Sequence, residues 1–135
     1  MIKALGILAA SLLLSSQAPA VVIIKDSPGG FVDEFMARRL AFEQSGTEVH
    51  ISGVCMSACA VYTSLSNVCL EPDAYFYFHQ GSKYEATDIV MHATNPAIWQ
   101  YIEHYGYPLP TMESGEFLFL DGSEAIAKGM MRPCA

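Results

Sequence analysis

The chain has 135 residues, 52% of them hydrophobic and 16% charged, enough for one compact core and too few for two. Its 7 Lys and Arg against 14 Asp and Glu leave a formal charge of -7, so no basic surface is available to neutralise a phosphate backbone and nucleic-acid binding is disfavoured. The apolar content, with 7 Phe and 7 Tyr, also separates the chain from the low-hydrophobicity signature of disorder.

Residues 1–20 read as a secretory signal peptide: Lys3, an apolar run from Ala4 to Leu14, the polar Ser15-Ser16-Gln17, and Ala18-Pro19-Ala20 as an A-x-A cleavage site. The run is too short to cross a ~30 Å hydrocarbon core, so no permanent membrane anchor is expected. The expected product is a periplasmic or secreted protein whose single α/β domain spans residues 21–135. In the alternative, residues 1–20 stay as a helix packed on the next strand and the protein is cytoplasmic.

Val21-Val22-Ile23-Ile24 is a β-branched run without alternation, expected as a strand buried on both faces of a parallel sheet. Asp26-Ser27-Pro28-Gly29-Gly30 then makes a turn. From Phe31 to Ser45-Gly46 the period becomes helical, with Val32, Phe35, Met36 and Leu40 on one face and Asp33, Glu34, Arg38 and Arg39 largely on the other. Thr47 to Ser52 alternates as a strand that Gly53 breaks, and Ser57 to Leu65 is small and apolar, as a buried helix would be. Val68 to Leu70 and Ala74 to Phe78 are strand-like, with Tyr75 and Tyr77 on one face and Phe76 and Phe78 on the other. Ala86 to Ala93 and Pro96 to Tyr105 read as helices, Phe117 to Leu120 as a short strand, and Ser123 to Lys128 as a closing helical turn. This alternation predicts an α/β fold with its functional residues where strands end.

Cys55, Cys59, Cys69 and Cys134 are an even set, expected to form two disulfides in an oxidising compartment. Three pairings are open, and the preferred one joins Cys69 back to Cys55 or Cys59, its neighbours along the chain. A zinc site built from all four thiolates ranks lower, because the paired C-x2-C knuckles are missing. His50, His92 and His104 show no ligand spacing, so no metal is assigned.

Three features close successive predicted strands: Gly29-Gly30, Ser57 and His79. A serine at the start of a helix has backbone N–H groups and a helix dipole at hand. A histidine supplies a general base, and a glycine turn brings a further N–H close to a developing oxyanion. For Ser57 the plainer role is a helix N-cap, and for His79 a strand-end histidine bonded to a carbonyl.

Ser27-Pro28-Gly29-Gly30, Cys55-Met56-Ser57-Ala58-Cys59-Ala60 and Phe78-His79-Gln80 together resemble the proteolytic subunit of Clp protease, at similar intervals. The signal peptide, the C-x-S-A-C elbow, N-V-C-L-x-P, the F-H pair and a terminal P-C are similar to those of small secreted bacterial proteins of the Clp-like type. This resemblance implies the Clp/crotonase spiral of βαβ units with a mostly parallel sheet. The larger families carry a further strand and helix before the SPGG strand, so the spiral here is expected to be trimmed, or residues 1–20 serve as that helix. The resemblance makes Ser57 the nucleophile, His79 the general base, and the N–H groups of Gly30 and Ala58 the oxyanion hole. The third triad member is not where that pattern puts an Asp, and Glu116 is the nominal choice.

The implied activity is a serine hydrolase, a peptidase acting on peptide or protein substrates without a cofactor. A homo-oligomer is implied only because the family forms rings. The rival class is a binding or assembly module that keeps the fold and has lost turnover, motivated by the displaced acid and the short chain. Acyl-CoA chemistry, as in crotonases, fits poorly with an acidic, exported chain.

Overall fold

The computed structural model describes residues 17–81 and 84–135, so most of the expected signal peptide, residues 1–16, lies outside the described residues. The elements are β1 (Val21–Ser27), α1 (Val32–Ser45), β2 (Glu48–Met56), a 3₁₀ helix (Ser57–Ser64), β3 (Val68–Leu70), β4 (Tyr75–Phe78), α2 (Tyr84–Ala93), α3 (Pro96–Gly106), a 3₁₀ turn (Met112–Ser114), β5 (Leu118–Asp121) and α4 (Gly122–Ala127). Strands β1, β3 and β4 all run parallel to β2, while β5 runs antiparallel to β4. The sheet order is β1-β2-β4-β5. β3 pairs with Val49–Ile51 and β4 with Val54–Met56, so these short strands follow one another along the edge of β2 that β1 leaves free. The α/β class and the mostly parallel sheet are as expected.

Alternation along β2 turns Val49 and Ile51 into the core, where they meet Phe76, Phe78, Leu120 and the 3₁₀ helix. Tyr62 is fully buried there and packs on Phe35 and Phe42 of α1, with ring centroids at 5.5 and 5.8 Å. Pro96 opens α3 in a first-turn position, where its missing N–H is no loss, and the Asn95 side chain accepts the Ala97 N–H.

Several expectations are corrected. β1 is not buried on both faces: Val21 and Ile23 are 54% and 63% exposed, whereas Val22 and Ile24, on the opposite face, are partly buried, so one face of the strand is covered and the other is bare. On α1, Leu40 is exposed and Arg39 turns inward, its guanidinium donating to the Val61 carbonyl and to Ser64 Oγ. The stem of an arginine can lie on apolar surface while its head satisfies the end of a neighbouring helix. Gly53 does not end β2. The register passes from Lys25↔Ser52 to Ser27↔Cys55, so the strand carries one extra residue there, a bulge that Gly53 accommodates with φ +63°.

The disulfides are Cys55–Cys59 and Cys69–Cys134. The preferred pairing of Cys69 with Cys55 or Cys59 fails because Cys69 lies opposite His50, on the face away from the core to which Cys55 belongs. The C-terminal tail runs beside β3, with Leu70 donating to the Arg132 carbonyl and Cys134 donating to the Leu70 carbonyl, each at 3.0 Å. That brings Cys134 to Cys69.

Candidate active site

Because β1, β2 and β4 are adjacent and parallel, their C-terminal ends share one rim, and Gly29-Gly30, Ser57 and His79 come together there. Ser57 leaves β2 and enters the 3₁₀ helix with φ +56°, a left-handed conformation that costs a non-glycine residue about 1–2 kcal/mol and persists only when its surroundings enforce it. Three supports are visible. The Cys55–Cys59 disulfide brackets the serine and ties the end of β2 to the helix. Gly29, itself at φ +79°, packs so closely that a Cβ there would lie 2.7 Å from the Met56 carbonyl oxygen and 3.1 Å from Ser57 Cβ. Upstream, Asp26 accepts the Val54 N–H at 3.0 Å and fills the space where a Gly53 Cβ would stand, locking the bulge that aims both chain ends at the rim.

From sequence alone Asp26 is a turn residue and Gly53 a strand breaker. The signal that could have found them is the pairing itself, an Asp ending one strand and a Gly inside its neighbour.

His79 follows β4 directly. Its Nδ1–H donates to the Gln80 carbonyl at 2.8 Å, which leaves the Nε2 lone pair as the acceptor. The segment is anchored on both sides: Gln80 N–H donates to the Pro110 carbonyl at 2.8 Å and Gly81 N–H to Thr87 Oγ1 at 2.7 Å. Ser57 and His79 line one small cavity of about 30 Å³, whose remaining wall includes Val32, Val90, Met91 and Leu109. No hydrogen bond joins the two side chains.

Ala58 is fully buried immediately after Ser57, in the first turn of the 3₁₀ helix, where N–H groups have no acceptor within the helix. Gly30 stands exposed one residue beyond the glycine that touches Ser57. Glu116 is not brought to His79. Its side chain is exposed, its N–H donates to Ser114 Oγ, and it lines a separate cleft with Gly106 and Pro108. The neighbour that does reach the imidazole is Phe117, edge-on at 5.7 Å between ring centroids. Among the described residues no carboxylate pairs with His79, and the Gln80 carbonyl takes the position at Nδ1.

No family model matches the sequence, and no curated protein matches it. Solved structures do. The chain is similar to the ClpP protease catalytic domain from Plasmodium falciparum, with a TM-score of 0.56 and 16% identity over 84% of this chain and 67% of that one. It is also similar to a peptidase from Plasmodium falciparum, with a TM-score of 0.53 and 8% identity over 87% of this chain and 78% of the other. At these identities the likeness establishes a Clp-like fold.

Proposed function

We propose that the protein is a serine peptidase of the Clp-like type, exported as residues 21–135 after removal of residues 1–20. Ser57 Oγ attacks the scissile carbonyl as its proton passes to His79 Nε2. The negative oxygen rests on the N–H groups of Gly30 and Ala58. Collapse of the tetrahedral intermediate breaks the C–N bond, and the leaving amine takes the proton from His79. Water, deprotonated by the same nitrogen, then cleaves the acyl ester and restores Ser57. No cofactor enters these steps.

The observation that carries this reading is Ser57 held at φ +56° in the wall of the cavity that His79 shares. The hydrogen bond from Nδ1 to Gln80 does the orienting work usually given to a carboxylate, selecting the tautomer with a free Nε2. A neutral carbonyl stabilises the imidazolium less than a carboxylate does, so turnover is expected to be slow. The apolar wall suits one apolar side chain beside the scissile bond. Two disulfides and the likeness to ClpP domains favour a peptidase working in an oxidising compartment.

One observation favours a second reading, a Clp-like binding or assembly module without turnover: the lack of an acid at His79 among the described residues. Labelling the oxidised protein with a fluorophosphonate separates the two. An activated serine labels in the wild type and fails to label in Ser57→Ala and His79→Ala. A folded wild-type protein that stays unlabelled refutes the peptidase and leaves the module.

A further inference from the structure

We propose that the outer face of the sheet holds a zinc site that forms when the Cys69–Cys134 disulfide is reduced. It lies on the side of β2 and β3 turned away from the core, and it does not depend on the peptidase reading.

His50 on β2 is in register with Cys69 on β3, so parallel pairing places both side chains on one face. The tail adds Cys134 through its hydrogen bond to Leu70. One ring nitrogen of His50 and the two sulfurs all lie within 4.8 Å of one another. Zinc bonds of ~2.3 Å to sulfur and ~2.05 Å to nitrogen put the ligand atoms of a tetrahedral site about 3.5 Å apart, so only small side-chain shifts are needed once the S–S bond is open.

The histidine is prepared on its other side. Nε2 pairs with Glu48 Oε1 at 2.8 Å, the carboxylate–histidine arrangement that orients a metal-binding imidazole and leaves Nδ1 for the metal. Glu71 Oε1 lies 3.7 Å from Nδ1. The ligands are therefore Cys69, Cys134 and His50, with Glu48 positioning the ring and the fourth position left to a water molecule. Two sulfurs and an imidazole suit zinc among the divalent ions. A surface cleft lined by Ile23, Lys25, Ser52 and Glu71 opens onto His50 and gives the ion a path, and Arg132, 4.0 Å from Glu48, offsets part of the ligands' negative charge.

The chemistry balances with a thiol reductant. Two thiols give up two electrons and two protons to the Cys69–Cys134 bond and leave joined as their own disulfide. Zn²⁺ then displaces the two cysteine protons and forms two Zn–S bonds. Disulfide and metal are thus alternative clasps holding the same tail to the same strand.

The test uses the full chain, reduced with a phosphine and desalted under argon, with Co²⁺ as the spectroscopic probe. One Co²⁺ per reduced chain, with a sulfur-to-cobalt charge-transfer band that Zn²⁺ abolishes, is the expected result, and the oxidised chain gives none. His50→Asn weakens binding at least ~10-fold. The Cys55→Ser/Cys59→Ser double variant keeps the band, which excludes the other cysteine pair. Added Zn²⁺ raises the melting temperature of the reduced wild type and not that of reduced His50→Asn. The proposal is overturned by a reduced chain that shows no band, by undiminished binding in His50→Asn, by a band that vanishes with Cys55 and Cys59, or by a reduced chain that zinc does not stabilise.

Discussion

Ser57 is the residue on which conformation and chemistry meet. Its left-handed backbone costs nothing to glycine, so Ser57→Gly is expected to be about 1 kcal/mol more stable than Ser57→Ala, measured by urea unfolding, while neither variant labels with fluorophosphonate. Equal stabilities would mean that the surroundings do not strain the elbow. Gly29→Ala tests the support from the other side. A methyl group 2.7 Å from the Met56 carbonyl oxygen must push the Ser27-Pro28-Gly29-Gly30 turn away from Ser57, so labelling should fall at least ~10-fold with Ser57 intact, at a stability cost of ~1–3 kcal/mol. Serine, histidine and the glycine pair were legible in the sequence because each closes a strand, and parallel strands bring their ends to one rim. The partner of His79 was not. A main-chain carbonyl belongs to every residue type and leaves no mark in the sequence, whereas Glu116, the nominal acid, is left in solvent by the fold.

At the scale of elements, the helical pattern of α1 placed its boundaries well and misjudged its last turns. Leu40 lies exposed while Arg39 reaches the carbonyl of Val61, because the surface α1 meets there is the polar end of the 3₁₀ helix and not an apolar wall. The same end of α1 is tied down by Glu43, whose carboxylate accepts from Ser66 Oγ and from Ser66 N–H. The hydroxyl of Ser66, then its backbone N–H, hold the Glu43 pKa below the ordinary glutamate range. A depressed folded pKa contributes stability above the unfolded value and loses it as pH falls through the folded one. The melting temperature of wild type should therefore exceed that of Glu43→Gln at neutral pH, and the gap should close as the solution is acidified below the carboxylate range. A gap that persists in acid would assign the difference to packing. The disulfide pattern was hidden for a related reason: chain proximity favoured Cys69 with Cys55 or Cys59, whereas strand alternation decides which face a cysteine joins.

For the whole molecule, alternating strands and helices were enough to foresee an α/β fold with a mostly parallel sheet, since only a crossover returns the chain to the same edge direction. The bare face of β1 was not foreseeable, because a β-branched run looks the same whether one face of its sheet is covered or both. Val21 and Ile23 consequently lie exposed, and the start of β1 bears on export. Ala20, the last residue of the expected leader, accepts the Glu48 N–H at 2.8 Å through its carbonyl. Cleavage after Ala20 removes that acceptor and leaves the new ammonium of Val21 beside its register partner Glu48, exchanging a hydrogen bond at the sheet edge for an attraction between opposite charges. N-terminal sequencing of exported protein should read Val21-Val22-Ile23, and the Glu48 amide should exchange its hydrogen at least ~10-fold faster in that form than in a chain retaining residues 1–20. The remaining β1–β2 ladder keeps Val49 and Ile51 buried in both forms, so their amides should exchange equally slowly. An exported chain that still begins at Met1, with Glu48 protected, would instead favour residues 1–20 as a retained part of the fold.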